Sequence, residues 1–134
     1  MIDPSYALQQ AVYAALSAHA GVRAIVGTNP VKVFHTVPPK TALPYVVIGQ
    51  DTVTGDDDAA EFTDCEVVVH AFAETIPGAK LLAAQITDAL YVALPLAGFS
   101  THEFHRGPTR HLTDPGNTGH SVVEFEYRVQ ALPT

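Results

Sequence analysis

The sequence predicts an α+β domain, a mostly antiparallel sheet with two main helices packed on one face. Three observations carry that reading. Two amphipathic helical stretches lie far apart in the chain, two long stretches alternate strictly between apolar and polar residues, and the links between strand-like segments are short. At 134 residues the chain fits a single domain over 1–134, with no internal repeat or linker to divide it. A chain of that size buries roughly two thirds of its unfolded surface and needs neither metal nor disulfide to fold.

Asp3-Pro4 marks the first helix, with Asp as N-cap and Pro at the first helical position. Leu8, Ala11, Val12, Ala15, Leu16 and His19 recur at helical spacing, opposite Gln9, Gln10 and Ser17, and Gly21 ends the pattern. Val22 to Val26 suits one further helical turn. Val31 to His35 reads as a short strand closed by Pro38-Pro39, and Pro44 opens a second, Tyr45 to Gly49. Thr52 to Ala60, rich in Asp and holding Gly55, reads as a loop or hairpin tip.

From Glu61 the chain alternates. Thr63, Cys65, Val67, Val69 and Ala71 make a core face; Phe62, Asp64, Glu66, Val68, His70 and Phe72 make a mixed one. Thr75-Ile76-Pro77-Gly78 begins a second helix with a buried stripe of Leu82, Ile86, Ala89, Leu90 and Ala93, running to Leu94 before Pro95 stops it. Phe99 to Arg106 reads as a strand, and Gly107-Pro108 through Gly116-Asn117 as a loop. Ser121 to Ala131 is the clearest strand: Val123, Phe125, Tyr127, Val129 and Ala131 inward, Glu124, Glu126, Arg128 and Gln130 outward.

Composition narrows the function classes. Hydrophobic residues make up 47% of the chain, which excludes a disordered protein. Cys65 stands alone, so no internal disulfide forms, and a reducing compartment is the simpler fit. No apolar run approaches the ~18 residues of a membrane span, and the Met-Ile-Asp-Pro start lacks the charged and apolar regions of a signal peptide. Seven Lys and Arg against fourteen Asp and Glu give a formal charge of −7, which disfavours binding to nucleic acid. That charge is uneven. Asp51, Asp56, Asp57, Asp58, Glu61 and Asp64 form an acidic stretch without a base, whereas His102, His105, Arg106, Arg110 and His111 surround a single acid, Glu103.

Chemistry is scarce. His102-Glu103-Phe104-His105 differs from a zincin motif, whose histidines stand four apart on a helix; three apart in a strand, the rings are expected on opposite faces. His111 and His120 are within reach of His105 across a hairpin, though nothing in their spacing demands it. Asp56-Asp57-Asp58 lacks the ligand spacing of an EF-hand loop and reads more simply as a solvated acidic tip than as a cation site. Ser121 has no nucleophile elbow, Cys65 sits on a core face, and the glycines stand singly at turns. The chain is expected to be no enzyme and to carry no cofactor or metal.

The layout resembles a known family. The helix Leu8 to Leu16, the Gly-bounded turn at Val22 to Gly27 and the short strand Val31 to Phe34 precede Leu43-Pro44-Tyr45-Val46-Val47-Ile48-Gly49. The Cys65 to Phe72 strand, the Ala79 to Leu94 helix and the closing Val122 to Val129 strand follow. The whole is similar to the tail terminator (tail completion) proteins of long-tailed phages and gene transfer agents. That resemblance implies a structural virion protein without enzymatic activity or cofactor. Such a subunit assembles, in the host cytoplasm, as a homo-oligomeric ring (usually a hexamer) on the head-proximal end of the tail tube. The ring stops tube polymerisation and provides the head–tail joining surface. Its implied partners are further copies of itself, the tail tube protein and the head–tail connector (stopper) protein; DNA passes through without specific binding, and no membrane is involved. Another head–tail connector or adaptor, or a minor tail structural protein of this size, is the alternative.

A ring needs two unlike patches on each subunit to meet. The acidic stretch and the His/Arg stretch are the expected pair, because opposite charge steers association and sets register. Phe62, Val68 and Phe72 on the mixed strand face are a second candidate, unless another element covers them.

Overall fold

The structure, a computed structural model, describes residues 3–56, 61–114, 116 and 118–133. Its elements in chain order are α1 (Ser5–Ala18), α2 (Ala20–Val26), β1 (Val33–Phe34), β2 (Tyr45–Gly55), β3 (Phe62–Ala73), α3 (Ile76–Leu90), β4 (Phe99–Thr113) and β5 (Gly119–Ala131). The strands form one five-stranded mixed sheet in the order β1-β2-β3-β5-β4. The pairs β2–β3, β3–β5 and β5–β4 are antiparallel and only β1–β2 is parallel. The fold is therefore α+β with a mostly antiparallel sheet.

α3 packs against β3, β5 and β4, while α1 touches β1, β2 and α3, and α2 touches both α1 and α3. Strand alternation settles which side chains enter the core. Cys65, Val67, Val69 and Ala71 of β3 and Val123, Phe125, Tyr127 and Val129 of β5 join Leu8, Val12 and Leu16 of α1, Val22 and Val26 of α2, and Leu82, Ile86 and Leu90 of α3 in one buried cluster. Gly119 opens β5 directly against α3. A Cβ there would fall 2.1 Å from the Thr75 carbonyl oxygen, so no other residue fits without moving the helix.

Several boundaries differ from the sequence expectation, each for a local reason. The first helix starts at Ser5, one residue later than expected. The N-cap position therefore falls on Pro4, which has no side chain to cap with, and Asp3 lies one residue outside it; its Oδ1 accepts from the Ser5 hydroxyl at 2.6 Å and the Ser5 backbone N–H at 2.8 Å, which holds its carboxyl below the usual range. Helical periodicity does not carry α1 through to Gly21, because His19 turns extended (φ −73°, ψ 122°) and begins α2 instead. Its Nδ1 accepts from the Val22 N–H at 3.2 Å and its Nε2 lies 2.8 Å from Asp88 Oδ2 on α3.

β1 shrinks to Val33–Phe34, and β2 runs on through Thr52–Gly55, where a loop was expected, because those residues pair with Thr63–Glu66 of β3. α3 ends at Leu90 and leaves Ala93 exposed. Leu94, which continues the helical spacing in sequence, and Leu96, beyond Pro95, lie outside both helix and strand and are core residues, 2% and 4% exposed. The largest correction is β4. It continues past Gly107-Pro108 to Thr113 as an edge strand, where a proline costs no ladder hydrogen bond, with a bulge between Arg106 and Thr109.

Candidate interaction surface

The alternate residues of β3 and β5 point away from the core cluster and build an outer face. Register with β2 and β4 fixes its rows. From one end these are Thr54–Asp64–Arg128–Glu103, then Thr52–Glu66–Glu126–His105, then Val68–Glu124. The far end holds Val47–His70–Val122–Arg110 and Tyr45–Phe72–His120–Leu112. One end is thus charged and the other is aromatic and imidazole-rich. Phe62, Val68 and Phe72 are half-buried on this face, as the sequence allowed.

The acidic stretch is partly neutralised within the subunit. Arg128 Nη1 donates to both oxygens of Asp64 at 3.1 Å, and its Nη2 donates to Asp56 Oδ2. The guanidinium also lies 4.7 Å from the centre of the Phe62 ring. Its hydrogen bond to Asp56 and the charge of both carboxylates hold the guanidinium firmly protonated. Asp51 is exposed on the opposite side of the sheet, where it lines a crevice with Leu8 and Gln9 of α1. Glu61 is exposed at the start of β3, and Asp57 and Asp58 lie outside the described residues.

The His/Arg stretch is split between the two faces. His105 and Arg110 share rows with Glu126 and Val122 on the outer face. His102 joins them, contrary to the expectation of opposite faces, because a bulge between Thr101 and Glu103 resets the alternation. His102 Nε2 lies 2.7 Å from Gln130 Oε1, and its ring meets Phe62 edge-on at 5.0 Å. Arg106 and His111 sit on the side of α3. Arg106 covers the Tyr91 ring at 5.4 Å, and His111 Nδ1 is 2.7 Å from Ser121 Oγ.

Sequence reasoning missed the Arg128 clamp and one more cluster. His70 Nδ1 lies 2.8 Å from His120 Nε2, and His120 Nδ1 lies 3.2 Å from Asp114 Oδ1. Phe72 stacks on His120 at 4.2 Å. Burial, then the neighbouring His120 and Arg110, hold His70 below the usual imidazole range, against a smaller opposing effect of Asp114. His120 therefore meets His70 rather than His105. The outward position of His70 was legible in the strand pattern; that of His120, one residue ahead of the expected last strand, and the register that joins the two were not.

Cys65 is buried, and burial together with Asp64, Asp51 and Asp3 pushes its thiol up to about 12. It is packing, and no nucleophile at neutral pH. Among the described residues no group of three or more His, Cys, Asp or Glu is arranged to hold a metal ion, and no helix is long and apolar enough to cross a membrane.

An α+β subunit with charged surface groups held in ladders suits a structural protein, and comparison with known proteins agrees. A chain in the virion of a native gene transfer agent particle superposes with a TM-score of 0.83 at 27% identity, covering 98% of this chain and 100% of that one. The gp17 protein of bacteriophage SPP1 has the same fold, with a TM-score of 0.58 at 22% identity over 97% of this chain and 91% of that one. No curated protein sequence matches. The first likeness places this fold in a virion, and the family model gives the class, a structural component of phage-type tails. Residues 10–130 match the model of the family described as tail completion protein gp17, and the chain belongs to that family.

Proposed function

We propose that the chain forms a closed ring of six copies that caps the head-proximal end of the tail tube. The ring stops tube polymerisation and presents the surface that the head–tail connector protein meets. The observation that carries this reading is the family match over 10–130, reinforced by full-length correspondence to a chain of a gene transfer agent virion. Assembly takes place in the host cytoplasm, and the net charge of −7 lets DNA pass the ring without specific binding.

Ring closure asks for a head-to-tail contact between unlike patches. With helices layered on one side of the sheet, the outer face and its edges are available for that contact. Since Arg128 holds Asp56 and Asp64, the described acids of that stretch left for a neighbour are Glu61, beside the start of β3, and Asp51, on the α1 side of the sheet, and the bases on the outer face are His102, His105 and Arg110. Bulges and charged side chains along β4 oppose strand addition at that edge, so side chains rather than backbone ladders join the copies.

Light scattering on the purified protein, alone and with cognate tubes, tests the ring. Closed oligomers visible by negative stain support it. A chain that stays monomeric at high concentration and beside its tubes overturns it.

A further inference from the structure

On the outer face, a shallow cup lies between β2 and β4, lined by His35, Gly49, Gln50, Val68, His70 and Arg110. Its floor depends on Gly49, since a Cβ there would come within 3.0 Å of both His70 Nε2 and the Val68 carbonyl oxygen. Arg110 is exposed and, among the described residues, makes no ion pair. Among the described residues His70 hydrogen-bonds through Nδ1 alone, and its Nε2 faces Gly49 at the cup floor.

We propose that this cup is an anion seat that takes a side-chain carboxylate from a neighbouring copy of the chain, held by the Arg110 guanidinium and by an N–H at His70 Nε2. The occupant rests on the ring reading and on charge complementarity. Fourteen acids against seven Lys and Arg make a neighbour's surface rich in carboxylates. The adjoining Glu66, Glu124 and Glu126 of the outer face repel a polyanion such as DNA, while a single carboxylate reaches the cup more easily.

The imidazole chain stores and places the proton that the seat needs. With Asp114 ionised and both imidazoles neutral, the contacts require His120 to donate Nδ1–H to Asp114 and His70 to donate Nδ1–H to His120 Nε2, which leaves His70 Nε2 bare. When a carboxylate arrives, one proton is taken from solvent. His120 then carries both of its protons and donates Nε2–H to His70 Nδ1, and His70 carries its single proton on Nε2, facing the carboxylate. Asp114 and the incoming anion balance the added charge, opposed by Arg110; His35 is the remaining titratable group at the cup.

The test combines sedimentation velocity with proton–nitrogen correlation spectra of the imidazoles. Arg110→Gln is expected to raise the concentration for half-assembly about tenfold, with Arg110→Lys restoring most of it. His70 Nε2 should change to its protonated signal on assembly, and on titration of the unassembled chain with acetate in the wild type but not in Arg110→Gln. If the wild type assembles and Arg110→Gln assembles equally well, the seat is wrong while the ring stands. If the wild type never assembles, the ring and the proposed occupant both fall. Acetate then judges the cup by itself: unchanged His70 signals overturn it as an anion seat.

Discussion

Tyr127 on β5 donates its hydroxyl to the backbone carbonyl of Leu90 at 2.6 Å, joining the middle of the sheet to the last turn of α3. The bond satisfies one of the carbonyls that every helix leaves unpaired at its C-terminus, and here it does so inside the core. Burial raises the phenol well above its ordinary range, which favours the protonated, donating form.

Tyr127→Phe removes the donor and strands a buried carbonyl. The variant should be about 1–3 kcal/mol less stable, measured by urea denaturation, with an unchanged slope.

Arg128 bridges Asp64 and Asp56 across the outer face. Because one guanidinium serves both carboxylates, Arg128→Met and Asp64→Asn should combine to less than the sum of their separate effects. Added salt should shrink that coupling, since the cluster is only partly shielded from water. Full additivity at low salt would show that the bridge contributes nothing.

His19→Ala removes both the cap of α2 and the contact with Asp88. A loss of about 1 kcal/mol is expected for the cap, with faster amide exchange confined to Val22 and its neighbours. His19→Asn, a competent cap, should recover much of that loss.

Cys65 makes stability fall in alkali. The unfolded thiol ionises near 9.0 and the folded one at about 12, so above pH 9 the unfolded chain releases its proton first. Stability should then decline by no more than about 1 kcal/mol per pH unit once solvent screening is allowed for. Cys65→Ala should flatten that decline. In native protein at pH 8 the thiol should resist alkylation, and it should react on unfolding.

Local pattern made much of this fold legible. The strict alternation of β3 and β5 identified their core residues, and the Asp3 and Thr75 signals marked both main helices, because these features depend on neighbours in sequence. What escaped depends on distant partners. Gly107-Pro108 has the composition of a loop and becomes strand because β5 lies alongside; Leu94 continues a helical spacing and serves the core from beyond the end of α3. His19 fits the α1 stripe and breaks it, since Asp88 and the Val22 N–H both claim its ring. At the surface, the two charged stretches were visible as composition. Arg128 turns part of the acidic one inward, and bulges divide the basic one between faces, through the β3–β5 and β5–β4 registers.

The most direct measurement follows tube growth. Tail tube protein is allowed to polymerise with and without this chain, and tube lengths and ends are counted by electron microscopy. Growth should stop early, with a ring at one end of each tube and never along its side. Tubes that lengthen equally in its presence, with bare ends, would contradict a terminating role.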